Sequence, residues 1–232
     1  LANSPTPNPK PGSDPATNTD TIPADLLLTA YAQGLFPMAE ARDDGDFFWC
    51  RPDMRGILPI HDFHLPQRLI DQIKATDWTV TVNQDFRAIV KGCANRDETW
   101  ISHRIEDSFV HLHDIGHAHC LGVYDTENQL IGGIYGLSMG SAFFGESMFH
   151  RKTNASKIAL ANLVARLAHC GYQLLDTQFG TPHLEQFGGH EIPDDTYQAR
   201  LKRAIHHIPA HRLADPRLDQ DQIMAEFLKS MQ

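Results

Sequence analysis

The stretch from Ala118 to Gln178 limits the fold more than any other part of the chain. Two apolar runs, Ala118–Tyr124 and Leu130–Leu137, flank Asp125-Thr-Glu-Asn128, whose first and last residues suit a tight hairpin turn. A second turn at Met139-Gly140-Ser141 leads into a third run, Ala142–Phe149. Leu160, Leu163, Val164 and Leu167 then recur at spacings of three and four, one apolar face of a long helix over Asn154–His169 that Gly171 stops. An apolar strand over Gln173–Gln178 follows. A meander, a helix and a returning strand predict an α+β fold, with a mixed sheet covered by helices.

The flanks add helices and a boundary. Leu26, Leu27, Ala30 and Tyr31 form an apolar face that starts near Thr21 and Pro23 and stops at Gly34. The spacing predicts further helices over Pro66–Ala75, Gln84–Lys91, Arg104–Ile115 and Asp219–Gln232, and a strand over Trp78–Val82. Residues 1–20, rich in Pro, Asn, Ser and Thr, bury too little to offset ordering entropy and are expected to be a disordered tail. The expected organisation is a small N-terminal α/β unit over residues 21–62, a larger domain over 63–218, and a C-terminal helix or tail over 219–232.

Composition narrows the function classes. With 41% hydrophobic residues in 232, the chain can bury a substantial core, and its net charge of −9 argues against coating nucleic acid through bulk charge. A local basic groove meeting one RNA end remains compatible with that charge. No run reaches the length of a membrane span, and residues 1–20 lack a signal peptide's apolar region. The four cysteines (Cys50, Cys93, Cys120 and Cys170) are far apart and form no CxxC, so they read as reduced thiols of a cytoplasmic protein.

Three places carry candidate chemistry. Gly132-Gly133-Ile-Tyr-Gly136 lies beside Phe143-Phe-Gly-Glu-Ser-Met-Phe149, and glycines so placed fit either bulges and turns or the close approach of a ligand or another backbone. Glu146 sits between Phe144 and Met148 in a core strand, where a carboxylate needs a partner or a task such as holding a substrate cation. Asn154-Ala-Ser-Lys157 opens the long helix, either as a site for phosphate or carboxylate or with Asn154 as a plain N-cap. Leu174-Leu-Asp-Thr-Gln178 ends in Asp176 and Gln178, two apart and therefore able to meet, or else simply a polar strand end. His111, His113, His117 and His119 resemble a metal cluster by count, but His111 and His113 cannot share one helix face.

Several motifs also stand in a fixed order. They are Tyr31-Ala-Gln-Gly-Leu-Phe-Pro-Met38, Trp49 with Pro52-Asp-Met-Arg-Gly56, Thr99-Trp-Ile101, Leu112-His-Asp-Ile-Gly-His-Ala-His119, Gly132-Gly-Ile-Tyr-Gly136, Phe144-Gly-Glu-Ser-Met-Phe149, Asn154-Ala-Ser-Lys157, Leu175-Asp-Thr-Gln178 and His183-Leu-Glu-Gln-Phe-Gly188. Together, over about residues 21–200, they resemble the leucyl/phenylalanyl-tRNA–protein transferases. The resemblance implies a small N-terminal domain on a catalytic domain of the GNAT acyltransferase type. It implies transfer of Leu, Phe or Met from aminoacyl-tRNA to the N-terminal Arg or Lys of a protein, making an N-degron, by a cytoplasmic monomer. Neither metal nor ATP is required, because the ester is already activated.

By the same resemblance, Asp176 and Gln178 form a proton-accepting relay at the attacking amine, and Glu146 binds a cationic group. Ile134, Met148, Leu160, Leu163, Leu167 and Leu175 form the side-chain pocket, with Trp100, Phe109, Tyr31 and Met38 near the terminal adenosine. Arg68, Lys74, Arg151, Lys152 and Lys157 are the candidates for gripping the tRNA, along with Arg87 and Lys91. Four positions depart from the family's usual pattern: Gly122 for an acidic residue, Asp194 for an arginine, Arg51 for a serine and Met38 for an aromatic. The rival readings are an acetyl-CoA-dependent transferase and a non-catalytic binding domain. Arg151-Lys-Thr-Asn-Ala-Ser156 lacks the glycines of a coenzyme A pyrophosphate loop, which weighs against the first.

Overall fold

The computed structural model describes residues 21–231; the expected disorder of residues 1–20 lies outside them. In chain order the elements are α1 (Ala24–Ala32), β1 (Phe36–Met38), β2 (Phe48–Cys50), β3 (Met54–Leu58), α2 (Gln67–Ala75), β4 (Thr79–Val82), α3 (Phe86–Ala94), α4 (His103–Asp114) and β5 (Ala118–Tyr124). Then follow β6 (Leu130–Met139), β7 (Ala142–His150), α5 (Ala155–Cys170), β8 (Leu174–Gln178), α6 (Pro182–Glu185), β9 (His190–Pro193), α7 (Asp194–His206) and α8 (Gln220–Ser230). β1 and β2 make a small antiparallel pair, and the other seven strands form one sheet in the order β4-β5-β6-β7-β8-β3-β9. Only β7 and β8 run parallel; every other pairing is antiparallel. The fold is α+β with a mixed sheet, as the order of apolar runs predicts.

Helices cover both faces of this sheet, so its side chains divide into two cores. Cys120, Tyr135, Phe144 and Leu174 face the layer containing α1, α3, α4 and α7. Leu121, Ile134, Phe143 and Leu175 face α2, α5 and α8. Each Phe143/Phe144 or Leu174/Leu175 doublet serves both cores because successive strand residues point to opposite faces. β5 is buried along its entire length, as expected of a strand packed on both sides.

The local signals hold where they are strong. Gly171 ends α5 in the left-handed conformation at φ 81°. Asp125 closes the β5–β6 turn by accepting the amides of Glu127 and Gln129 on Oδ1. β3 falls within the stretch read as the N-terminal unit, yet it pairs with β8 and β9 in the main sheet. The sequence pattern predicts neither β9 nor α7. Arg166, buried in α5, donates to the carbonyls of Leu213 and Asp215 and to Gln220 Oε1, holding the segment between α7 and α8 on the core.

Candidate active site

Two irregularities in the sheet build the site. Tyr135 pairs with Ser147 but Gly136 pairs with Gly145, so Glu146 is an extra residue, a bulge in β7. Ile57 pairs with Asp176 but Gly56 pairs with Gln178, which makes Thr177 the extra residue of β8. Between these bulges the parallel pairing ends at Phe144 and Asp176. Gln178 adopts φ 59°, a left-handed conformation that brings its side chain back toward β7.

The polar centre is one connected network. Tyr31 donates from its hydroxyl to Glu146 Oε1 at 2.7 Å, and Gln178 Nε2 donates to the same oxygen at 3.2 Å. Among the described residues Glu146 Oε2 has no hydrogen-bond partner although it is buried. Burial pushes the Glu146 carboxyl up to about 8; the Tyr31 hydrogen bond opposes that rise and the Asp176 charge adds to it.

Asp176 is 0% exposed and fully occupied. Oδ1 accepts Arg55 Nε at 2.9 Å and the Gln178 amide at 2.8 Å; Oδ2 accepts Arg55 Nη2 at 2.7 Å and the Tyr197 hydroxyl at 2.6 Å. Arg55 also donates to the Gly34 carbonyl, and its guanidinium lies between the Phe36 and Tyr197 rings. Burial opposes the Arg55 charge, but Asp176 outweighs it and raises the guanidinium above its ordinary range. Arg55 and Tyr197 join this network without having been expected from the sequence. The signal for Arg55 was its place in the Pro52–Gly56 motif, and a buried Asp176 requires a buried cation.

A cavity of about 350 Å³ adjoins this network. Glu146, Ile134, Met148, Leu160, Leu175 and Trp100 line it together, as does Arg96. Leu163 and Leu167 do not reach it. Each helical residue adds about 1.5 Å, so they lie roughly 4.5 and 10.5 Å beyond Leu160 along α5, and both are wholly buried in the core. Tyr31 and Phe109 are likewise sealed in, with rings 6.4 Å apart, and Met38 packs against their cluster.

Arg96 continues the cavity outward. It lines the cavity itself and two neighbouring hollows, shared with Met148, His150, Arg151 and His183 on one side and with Lys91, Arg42 and Arg151 beyond. Of the expected tRNA-gripping residues, only Arg151 and Lys91 enter this groove. Lys152 is paired with Asp125, Lys157 donates to Gln186, Arg87 bonds Glu106 and Asp107, and Arg68 and Lys74 lie on α2. Asn154 sits before α5 at φ 69° without capping it; its amide instead donates to Gln72 at 2.6 Å. The glycines of β6 admit neighbouring protein atoms. A Cβ at Gly136 would lie 2.1 Å from the Phe144 carbonyl oxygen, and one at Gly132 would lie 2.6 Å from the Ala155 side chain.

Residues 57–202 match the family described as leucyl/phenylalanyl-tRNA protein transferase, and residues 20–53 match that family's N-terminal domain. The chain belongs to the leucyl/phenylalanyl-tRNA–protein transferase family. It is 52% identical over 181 residues to the leucyl/phenylalanyl-tRNA–protein transferase of Dinoroseobacter shibae, covering 78% of this chain and 81% of the relative. Against that of Rhodopseudomonas palustris strain TIE-1 it is 53% identical over 188 residues, covering 79% and 83% respectively. Arg51 and Asp194 face each other: Arg51 donates through Nε and Nη2 to Asp194 Oδ2, at 3.0 and 2.5 Å. This ion pair lies at the start of α7. His119 belongs to a different environment, where burial and neighbouring histidines push it down to about 4 and Asn83 bonds its Nδ1.

Proposed function

We propose that this chain transfers Leu, Phe or Met from aminoacyl-tRNA to the N-terminal Arg or Lys of acceptor proteins, marking them for N-degron proteolysis in the cytoplasm. The observation that carries this reading is the cavity itself, an apolar pocket whose only buried carboxylate, among the lining residues, is Glu146. Ile134, Met148, Leu160 and Leu175 suit an apolar side chain that is not branched at Cβ. A single methylene discriminates only modestly in such a pocket, which accounts for tolerance of Leu, Phe and Met. Trp100, which lines the cavity, offers a ring for the terminal adenosine. No helix among the described residues is long and apolar enough to cross a membrane.

The catalytic domain is of the GNAT type and takes in β3 as well as residues 63–218, with a smaller unit before it; the mixed sheet that includes β3 supports this reading. The parallel β7–β8 pairing ends at Phe144 and Asp176, next to the residues that line the cavity. Acyl transfer from an activated ester needs orientation, a proton acceptor and oxyanion stabilisation. Gln178, fixed by its left-handed backbone and its bond to Glu146, orients the amine. Asp176 acts through Gln178 rather than by contact, because all four of its donors come from the protein.

The groove that starts at Arg96 suits the phosphates of a single-stranded 3′ end. Arg96→Ala is expected to weaken aminoacyl-tRNA binding and to reduce the slope of log affinity against log salt by about 0.7, the value for one lost single-strand phosphate contact. Filter binding across a salt series measures both. An unchanged slope would remove Arg96 from the RNA path.

One assay tests the function. The protein is incubated with leucyl-tRNA and a peptide beginning with Arg, and separately with acetyl-CoA and the same peptide. Leucine transfer is expected from the first. Transfer only from acetyl-CoA would replace this reading with an acetyltransferase, and transfer from neither would leave a binding domain.

A further inference from the structure

We propose that a second cavity, at the other end of the sheet from Asp176 and Gln178, binds a small carboxylate with an apolar body. The proposal goes beyond the acyl-transfer reading and does not depend on it. This cavity measures about 590 Å³, a usual size for a small-molecule site, and shares no lining residue with the catalytic cavity. It lies where β5 starts, β6 ends and Tyr172 leads into β8. One wall is the segment from His207 to Ala214, which the buried Arg166 holds in place through the Leu213 and Asp215 carbonyls.

The polar part of the lining supplies a directed donor. Asn83 Oδ1 accepts the Cys120 amide, so Asn83 Nδ2 must be the donor to His119 Nδ1, at 3.0 Å. Burial pushes the His119 ring down to about 4, so at pH 7 it is neutral and its one ring hydrogen sits on Nε2. His119 is 7% exposed and lines the cavity. Its Nε2 has no partner among the described residues and, unlike His183 Nε2, is not sealed off. In the same lining Ser138 Oγ and the Tyr172 hydroxyl share a hydrogen bond of 2.6 Å, which uses one of their two protons and leaves the other for a ligand.

Charge selects the sign of that ligand. His113, His119, His207 and Arg212 stand along the lining, and no Asp or Glu joins them. Arg212 is exposed, and its guanidinium makes no hydrogen bond or ion pair among the described residues. Ile205, Ile208, Pro209 and Leu213 supply the apolar surface, with Ile208 87% exposed. An inorganic anion would leave these apolar walls in water, and an alcohol would leave Arg212 without a counter-charge. A carboxylate on an aliphatic or aromatic body satisfies both.

Hexanoate is the probe, in an NMR titration of the full chain read at the amides of Gly116 and Gly140, which both line the cavity. Saturable shifts are expected, with acetate and hexan-1-ol each binding about ten-fold more weakly or worse, for want of buried methylenes and of a charged hydrogen-bond acceptor respectively. His119→Phe should weaken hexanoate about ten-fold, the usual loss for one hydrogen bond to a charged group. Arg212→Glu changes an exposed side chain that the fold does not use, and should weaken it about three-fold or more; if His119→Phe does not fold, this variant decides alone. No saturable shift would overturn the proposal, as would acetate or hexan-1-ol binding as tightly as hexanoate. Hexanoate affinity unchanged in Arg212→Glu would overturn it too, because the probe would then be held elsewhere, for example in the catalytic cavity.

Discussion

Arg55→Met is expected to destabilise the protein by about 3–5 kcal/mol, the loss typical when one partner of a buried ion pair is removed. The pair is 1% and 0% exposed at its two side chains, so Asp176 would be left charged or forced to bind a proton in a closed site. The second change separates electrostatics from packing. In Arg55→Met/Asp176→Leu the uncompensated charge is gone, and the double variant should be more stable than Arg55→Met alone. It should nevertheless remain inactive, because Gln178 loses the carboxylate that holds its backbone amide. Urea denaturation followed by single-turnover transfer makes the comparison. A double variant less stable than Arg55→Met would show that the hydrogen bonds Asp176 accepts from Tyr197 and the Gln178 amide outweigh the cost of its uncompensated charge.

Gly56→Ala should be nearly as damaging, for a steric reason. A Cβ there would lie 2.3 Å from the Phe179 carbonyl carbon and 2.4 Å from its oxygen, and both are backbone atoms that cannot rotate away. Strand β3 would have to move from β8 opposite the bulge that presents Gln178. Overpacking of this kind costs about 1–3 kcal/mol, and an ångström of misplacement at a reacting group costs roughly 10²-fold in rate. Gly45→Ala is the control, since a Cβ at Gly45 meets nothing within 4 Å. Thermal melting and turnover of the two variants should diverge sharply; equal behaviour would mean that β3 adjusts freely.

The two variants also mark where the sequence was readable. β5, β6, β7 and α5 follow from local patterns because each has its own periodicity and its own stop, such as Asp125, Gly140 and Gly171. α7 has no such pattern, since Tyr197, Leu201 and Ala204 are its only buried positions among many charged ones. The site shows the same division. Asp176, Gln178 and Glu146 could be found because carboxylates and amides among apolar residues are anomalous within a few positions. Arg55 lies 121 residues from Asp176, and no periodicity connects them. The bulges were equally hidden, because an extra residue is visible only against a paired strand. For the same reason Leu163 and Leu167 looked equivalent to Leu160: they share its helix face but lie beyond the end of the cavity.

Those bulges bear on how the site persists. Glu146 and Thr177 are surplus to the ladder, so the sheet would close with a more regular register if both were deleted. The hydrogen-bond network of the sheet therefore places no demand on either residue, and selection for foldability alone would tend to shorten these strands. Screens that enrich thermostable deletion variants of this protein should accordingly collect inactive chains at these two positions.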